Sequence, residues 1–429
     1  MNMDIESSIK KIFTNNIDNS DKLLDFIDNN IYTKECDKIT YAEVPTPRYI
    51  RKNMINKFPN NFWKSPKKIF EPSAGKCVFI IEIINKFMNG LKYYIKDPHE
   101  RYKIIVEECI YFSDINENNI NICKLLIDPF NKYNLNYYIG DTLNIDINNK
   151  WKISEFDAII GNPPFNKISS NKSCPLWNTF VVKMFSILKE GGYLSFITPT
   201  GWRAPKGRFR NIFNLIMDKK LIYLNMNSLE DGHRDFNVAI SYDYYIVNNV
   251  INDNKTKTNI VDVKDNNYDI NLSKWGFIPY SDFDLFDKLL AKDDEERVNI
   301  LYDSSTYDSR KLSDTQTDEY KYPICYTITK KKGMNKLYSN VCKNYHFVPK
   351  VIWSNGIGTF PIVDYDGEYG CSQFSFGIID DKKNLDKIKN CMENELFIDL
   401  MKNTKFTNNK YDYKTIGLFN KNFYDIFIK

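Results

Sequence analysis

Histidine is nearly missing from this 429-residue chain, which has three, His99, His233 and His346, far apart. Its nine cysteines include no Cys-x-x-Cys pair. The ligand spacings of zinc sites are therefore lacking, and an odd, scattered set of thiols gives no disulfide framework. The expectation is no resident metal and reduced thiols in a cytoplasmic compartment, or in host cytoplasm if the chain is viral. Cys77 and Cys174 read as small buried hydrophobes. No charge dominates either: 59 basic against 55 acidic residues leave a formal net charge of +4. No global polycation announces nucleic acid, so any such contact must come from local patches. No apolar run is long enough to cross a bilayer and no signal peptide opens the chain, which reads as soluble. What is present, 42% hydrophobic and 15% aromatic residues, excludes a chain disordered throughout, and the length suits two domains or one large domain with a smaller companion.

The most informative stretch is Gly161-Asn162-Pro163-Pro164-Phe165, which follows the apolar, strand-like run Phe156 to Ile160. Such a turn presents an amide side chain, a proline-constrained carbonyl and an aromatic face together. These parts suit an exocyclic amine, whose lone pair is delocalised into its ring and is a poor nucleophile. The Asn162 side-chain oxygen and the Pro163 carbonyl can each accept one N–H. That favours a more tetrahedral nitrogen with its lone pair aimed at an incoming methyl group. Pro163 and Pro164 fix the backbone and bring no N–H to compete for those acceptors. Taken alone, Asn-Pro-Pro is also an ordinary stiff turn after a buried strand.

Its neighbours in the sequence give it context. Ile69 to Cys77 reads as a strand and a small-residue turn, Glu71-Pro72-Ser73-Ala74-Gly75, before helical sequence from Val78 to Met88. That order lets backbone N–H groups approach a ligand closely. Cys109 to Ser113 reads as a strand closed by Asp114, with helical sequence from Asn116. A carboxylate there is placed to accept from ribose hydroxyls. A third unit ends Tyr137-Tyr138-Ile139-Gly140-Asp141, where Asp141 can accept from an adenine amine. An aspartate closing a strand is also a common turn former or helix cap.

With these residues in place the chain resembles the S-adenosylmethionine-dependent adenine-N6 DNA methyltransferases of restriction-modification systems. Asn162, Pro163, Pro164 and Phe165 look like their catalytic signature, and Glu71, Pro72, Ser73, Ala74 and Gly75 like their cofactor loop. Val44 to Ile50 is similar to the segment that meets the methionine end of the cofactor, which implicates Thr46 and Pro47. The resemblance implies that Asp114 binds ribose, that Ile115 packs on the cofactor's adenine, and that Asp141, with Thr142 beside it, reads the amine. Asp235 to Ser241 is similar to a late motif whose aromatic residue, here Phe236, packs on the target base. Cofactor segments first, catalytic turn next and a long unassigned stretch last is the order of the gamma class. That class implies a seven-stranded, Rossmann-like sheet and carboxy-terminal target recognition. The resemblance spans roughly residues 40 to 250. It departs from the family where Lys76, Cys77 and Val78 stand in place of further glycine.

Alternating strand-like and helical runs from Ile69 to Val247 predict an α/β fold, a doubly wound and mostly parallel sheet. Residues 1–40 are expected to form a helical arm packed on the main domain, residues 41–250 the catalytic domain, and 251–429 an α+β target-recognition region. Asn248 to Asn267, polar and charge-mixed, marks the boundary. Pro175 to Leu188 predicts a helix with proline at its first position and Gly191-Gly192 as its stop. Trp202 and Arg203, followed by Lys206, Arg208 and Arg210, lie just past a strand end. They read either as substrate contacts, with the cations on phosphates, or as a solvated loop and helix start. The expected activity is methyl transfer to adenine in DNA, by a monomer, with the target base flipped out and possibly a cognate restriction nuclease as companion. Transfer to RNA adenine or to protein glutamine stays open. So does a non-catalytic nucleic-acid-binding partner on a degenerate methyltransferase fold.

Overall fold

The computed structural model describes residues 3–31, 44–167, 174–303, 312–343, 345–354, 360–406 and 413–428. Part of the expected arm (32–40) and residues 168–173 after Phe165 lie outside them. The chain divides into two compact units, one of residues 1–200 with 211–273 and one of residues 201–210 with 274–429.

Among the described residues the first unit is built on a nine-stranded, mostly parallel sheet. In chain order its strands are β1 (Ile69–Glu71), β2 (Ile110–Asp114), β3 (Asn136–Ile139), β4 (Phe156–Gly161), β5 (Leu188–Pro199), β6 (Lys219–Asn227), β7 (Tyr242–Ile251), β8 (Thr258–Val261) and β9 (Asn267–Ile270). Across the sheet they run β9-β8-β6-β7-β5-β4-β1-β2-β3. The expected seven strands are present, with β8 and β9 added at one edge. Strand β1 lies between β2 and β4, parallel to both, and its three residues are all buried. That is the pattern of a parallel strand covered on both faces. Because β3, β2, β1, β4 and β5 are parallel, their carboxyl ends, where Glu71, Asp114 and Gly161 sit, share one rim. Ligands bind at that rim in open α/β sheets.

Helices cover the sheet: α1 (Met3–Asn15), α2 (Asp21–Asn30), α3 (Arg48–Asn56), α4 (Val78–Gly90), α5 (Pro98–Ile104), α6 (Glu117–Ile127), α7 (Ile147–Trp151), α8 (Trp177–Ser186), α9 (Arg210–Met217) and α10 (Leu229–Phe236). Ile9, Leu23, Leu24 and Ile27 of the amino-terminal arm belong to the same apolar core as Phe79, Ile80 and Ile84 of α4, so the arm is part of this unit. Helix α8 starts later than the proline signal predicts. Pro175 pairs with Asn166 in a short antiparallel ladder, and only then does the stripe Trp177, Phe180, Val181 and Met184 turn inward. Leu188 already belongs to β5, and Gly191, at φ 77°, sits in a bulge of that strand. Cys174 is exposed and Cys77 buried. The expectation of burial thus fails for Cys174, which lies in the ladder of the loop and not in the core.

In the second unit, Lys350–Ser354 pairs antiparallel with Ser375–Ile379 and with Ile362–Asp364. A separate sheet joins Tyr322–Thr329, Gly333–Ser339 and Gly370–Cys371. Lys350 and Asp364 form a wholly buried ion pair of 2.8 Å. Asp364 also accepts the N–H groups of Glu368 and Tyr369. No helix among the described residues is long and apolar enough to cross a membrane.

Candidate functional site

From the end of β1 the chain makes a tight turn, Pro72 to Cys77, into α4. Gly75 lies in the left-handed region at φ 49°, and a Cβ there would meet nothing within 4 Å. The glycine is therefore needed for its backbone angle and not for space. Cys77, the N-cap of α4, takes φ 70°, a conformation disfavoured by about 1–2 kcal/mol for a residue with a Cβ. It supplies the left-handed residue that a further glycine would have supplied.

Hydrogen bonds fasten this turn to the other motifs. Ala74 N–H donates to the Ser113 carbonyl at 2.9 Å. Gly75 N–H donates to one oxygen of Asp114 at 2.8 Å, and Asn116 N–H to the other at 2.8 Å. The Thr142 hydroxyl donates to the Pro72 carbonyl at 2.8 Å and lies 2.7 Å from the Ser113 hydroxyl. The Ser73 hydroxyl donates to the Asn162 carbonyl at 3.2 Å. Gly161 is close-packed as well, since a Cβ there would come to 3.4 Å from Pro72 Cδ.

The Asn162 amide is half-buried. Its Nδ2 donates to Thr46 Oγ1 at 3.2 Å, while its Oδ1 is buried without a hydrogen-bond partner among the described residues. Buried acceptors are normally satisfied, and an orphan calls for a reason. A second orphan lies nearby: Glu71 is 2% exposed and its Oε2 has no partner among the described residues. Burial, with Cys77 and Asp114 close by, pushes the Glu71 carboxyl well above the usual range, against the pull of Arg51 and a backbone hydrogen bond from Ile80.

Residues expected to hold a cofactor, Thr46, Pro47, Glu71 to Gly75, Asp114, Ile115, Asp141 and Thr142, line one cavity of about 760 Å³ together with Asn162 and Pro164. That volume lies within the range of small-molecule and cofactor sites. Asp141 caps a short turn, its oxygens accepting from Leu143 N–H at 3.0 Å and the Asn144 amide at 2.8 Å. Ile115 is 58% exposed. No group of three or more metal-ligating side chains is gathered among the described residues.

The remaining expected residues lie outside this lining. Pro163 is buried, and Phe165 is half-buried against the apolar core. Phe236 is 8% exposed and packs edge-on against Tyr242 at 4.7 Å. In front of it Asp235, which lines the cavity, accepts from the Tyr242 hydroxyl at 2.6 Å and from the Arg234 guanidinium at 2.9 Å. Trp202 and Arg203 belong to the second unit and are fully buried. Arg203 donates to the carbonyls of Ile278 and Pro279, both at 3.1 Å, and lies 4.2 Å over the Tyr280 ring. It is an internal staple, because a phosphate contact requires an accessible cation. Of the basic string, Lys206 and Arg208 are exposed, whereas Arg210 is half-buried and donates to the Gly276 carbonyl at 2.6 Å.

Sequence reasoning missed cations on the cavity wall, Lys76 and Arg51 among them. Lys76, 8% exposed, places its ammonium 2.6 Å from Asn119 Oδ1. Arg51, 2% exposed, donates to the Thr46 carbonyl and reaches Asp28 at 3.4 Å. A signal for the second was present: Asp21, Asp25 and Asp28 recur at helical spacing on α2, and they face Arg48 and Arg51 of α3.

Comparison with known proteins follows the same outline. Residues 108–228 match the family model of the Eco57I restriction-modification methylase. A protein of Methanocaldococcus jannaschii named as a type II restriction enzyme and methyltransferase is 35% identical over 102 residues, 20% of this chain and 9% of that relative. The match thus spans about a tenth of the relative's length. Among solved structures, the type IIL restriction-modification enzyme MmeI in complex with DNA is similar over 96% of this chain and 65% of its own, at 12% identity and a TM-score of 0.43. The M protein of the type I restriction enzyme EcoKI is similar over 58% of this chain and 59% of its own, at 16% identity and a TM-score of 0.39. The segment holding β2, β3, β4 and the Asn162 turn is accordingly similar to the restriction-modification methylases of the Eco57I family.

Proposed function

We propose that this chain transfers a methyl group from S-adenosylmethionine to the N6 amine of adenine in DNA. The carrying observation is the Asn162 amide, whose Nδ2 is held by Thr46 while its Oδ1 stays unpartnered on the cavity wall. An acceptor held in this way gains its bond only when substrate arrives.

The residues present fit the cofactor. Glu71 and Asn162 each put into the cavity a buried oxygen without a partner among the described residues. The Asp114 carboxylate accepts the N–H groups of Gly75 and Asn116 and lines the cavity, where a carboxylate oxygen can accept from ribose hydroxyls. Ile115 offers an apolar face for an adenine ring. When bound, the cofactor supplies an electrophilic methyl on a sulfonium. Asn162 Oδ1 and the Pro163 carbonyl accept from the substrate amine and hold its lone pair toward that methyl. No covalent enzyme intermediate is required.

An adenine within a duplex must leave the stack to reach this rim, which costs a few kcal/mol. The accessible part of the half-buried Phe165 ring is the stacking face we assign to it. Phe236, buried behind Asp235, supports the rim. We assign target reading to the second unit and catalysis to the first. The test is radiolabelled methyl transfer to separate pools of duplex DNA, RNA and protein, with the labelled product identified by mass spectrometry. N6-methyladenine in DNA is expected. Label confined to RNA, to protein or to another DNA base would refute the assignment.

A further inference from the structure

We infer that Thr46 and Arg51 are positioning residues for Asn162, linked to the amino-terminal arm through Asp28. The inference rests on the methyl-transfer reading above and extends it to groups that never touch the target amine.

The links run through named atoms. Asn162 Nδ2 donates to Thr46 Oγ1 at 3.2 Å. The Thr46 carbonyl accepts from Arg51 Nη1. Arg51 Nη2 lies 3.4 Å and 3.5 Å from the two oxygens of Asp28 on α2, and 3.9 Å from Glu82 on α4. Thr46 and Arg51 are 5% and 2% exposed, so water replaces none of these partners cheaply. Pro47, at φ −54°, opens α3 directly after Thr46 and stiffens the short span between the carbonyl and the guanidinium that holds it. Asn162 is thereby located from both ends, its backbone by Ser73 and its side chain by Thr46.

Location matters because an in-line transfer needs the acceptor within a few tenths of an ångström of its working place. A hydroxyl can serve either orientation of an amide. What this contact fixes is the plane and depth of the amide, and the substrate's two N–H groups select the orientation that turns Oδ1 toward them. Burial lowers the Arg51 pKa against the pull of Asp28 and Glu82, and the neighbouring Arg48 guanidinium lowers it further.

Three variants and three readouts test the idea. Thr46→Val keeps the shape and removes the hydroxyl, Thr46→Ser restores it, and Asp28→Asn weakens the anchor of Arg51. Single-turnover transfer to a duplex DNA pool that accepts label from the wild type is measured at saturating cofactor, and cofactor affinity by calorimetry. At saturating cofactor Thr46→Val should slow transfer by roughly 10- to 100-fold, over and above any change in cofactor affinity, Thr46→Ser should recover most of the rate, and Asp28→Asn should fall between. A loss that vanishes at saturating cofactor, or no loss, overturns the inference. A crystal structure of Thr46→Val gives a reading independent of activity. Asn162 should be displaced or occupy more than one rotamer, and an unmoved amide overturns the positioning role. A wild type that labels no pool overturns the methyl-transfer reading instead, and leaves the crystallographic result to decide the link between Thr46 and Asn162.

Discussion

Asn162→Ala should separate activity from stability, and the structure gives the size of both effects. The substitution removes one neutral hydrogen bond, Nδ2 to Thr46 Oγ1, worth about 0.5–1.5 kcal/mol. It also removes Oδ1, a buried acceptor without a partner among the described residues, and so relieves a desolvation penalty of about 1–3 kcal/mol. The two nearly cancel. At about 2–4 °C per kcal/mol for a unit of this size, the Tm of the variant should stay within a few degrees of the wild type. Under the proposed mechanism catalysis has no such compensation, because the lost acceptor is the one assigned to the reacting amine. By analogy with removal of a single preorganised group, kcat should fall by about 10²–10³, or roughly 2.7–4 kcal/mol. Differential scanning calorimetry, cofactor titration and single-turnover methyl transfer on the same preparations measure all three quantities. A variant that unfolds many degrees earlier would show that Asn162 is chiefly structural, and one with wild-type kcat would remove it from the mechanism.

Other outcomes follow from the same site and from the second unit. Glu71 has a raised carboxyl pKa, so as pH rises above the unfolded value of about 4.3 the unfolded chain ionises while the folded chain keeps its proton. Stability is lost over that window. Glu71→Gln should therefore gain stability relative to wild type as pH rises from 4 toward neutrality, and parallel denaturation curves would contradict it. Asp114→Asn keeps an acceptor for only one of the N–H groups of Gly75 and Asn116, which bond different oxygens, and should weaken cofactor binding about tenfold or more by calorimetry, equivalent to one charge-assisted hydrogen bond of ~1.5–3 kcal/mol. Unchanged affinity would make Asp114 a structural cap. Lys350→Met leaves Asp364 buried without its ammonium partner, and should destabilise the second unit by about 3–5 kcal/mol, read as an earlier thermal transition. A shift of less than 2 °C would show that the two backbone N–H groups on Asp364 suffice.

How far the sequence revealed this arrangement depended on whether a residue's role was local. The turns at Glu71–Gly75 and Asn162–Phe165 follow short apolar strands, and their small residues and prolines declare themselves. The parallel core from β1 to β5 was legible for the same reason. Strands β8 and β9 were not, because an edge strand such as Asn267–Ile270 alternates exposed and half-buried residues and so reads as a polar linker. The unit boundary consequently falls after Ser273, beyond the polar stretch that seemed to mark it. Arg203 misled because a basic residue after a strand end suggests phosphate, whereas its neighbours in space, Ile278 to Tyr280, are distant in sequence. Arg51 escaped notice because its partners are brought to it by three separate helices and loops. The acidic spacing on α2 was visible, but its meaning required knowing which helix it faces.

The arm that walls the cavity has one more implication. Ile27 and Asp28 of α2 border the pocket, and that helix is fastened partly by charge pairs at the surface, among them Arg48 with Asp21 at 2.7 Å. Mobile ions screen such pairs, while the buried apolar contacts of Leu24 and Ile27 are indifferent to them. Raising ionic strength should therefore loosen the outer half of this wall before the inner half, and shorten the residence of a small ligand behind it even in the absence of any nucleic acid.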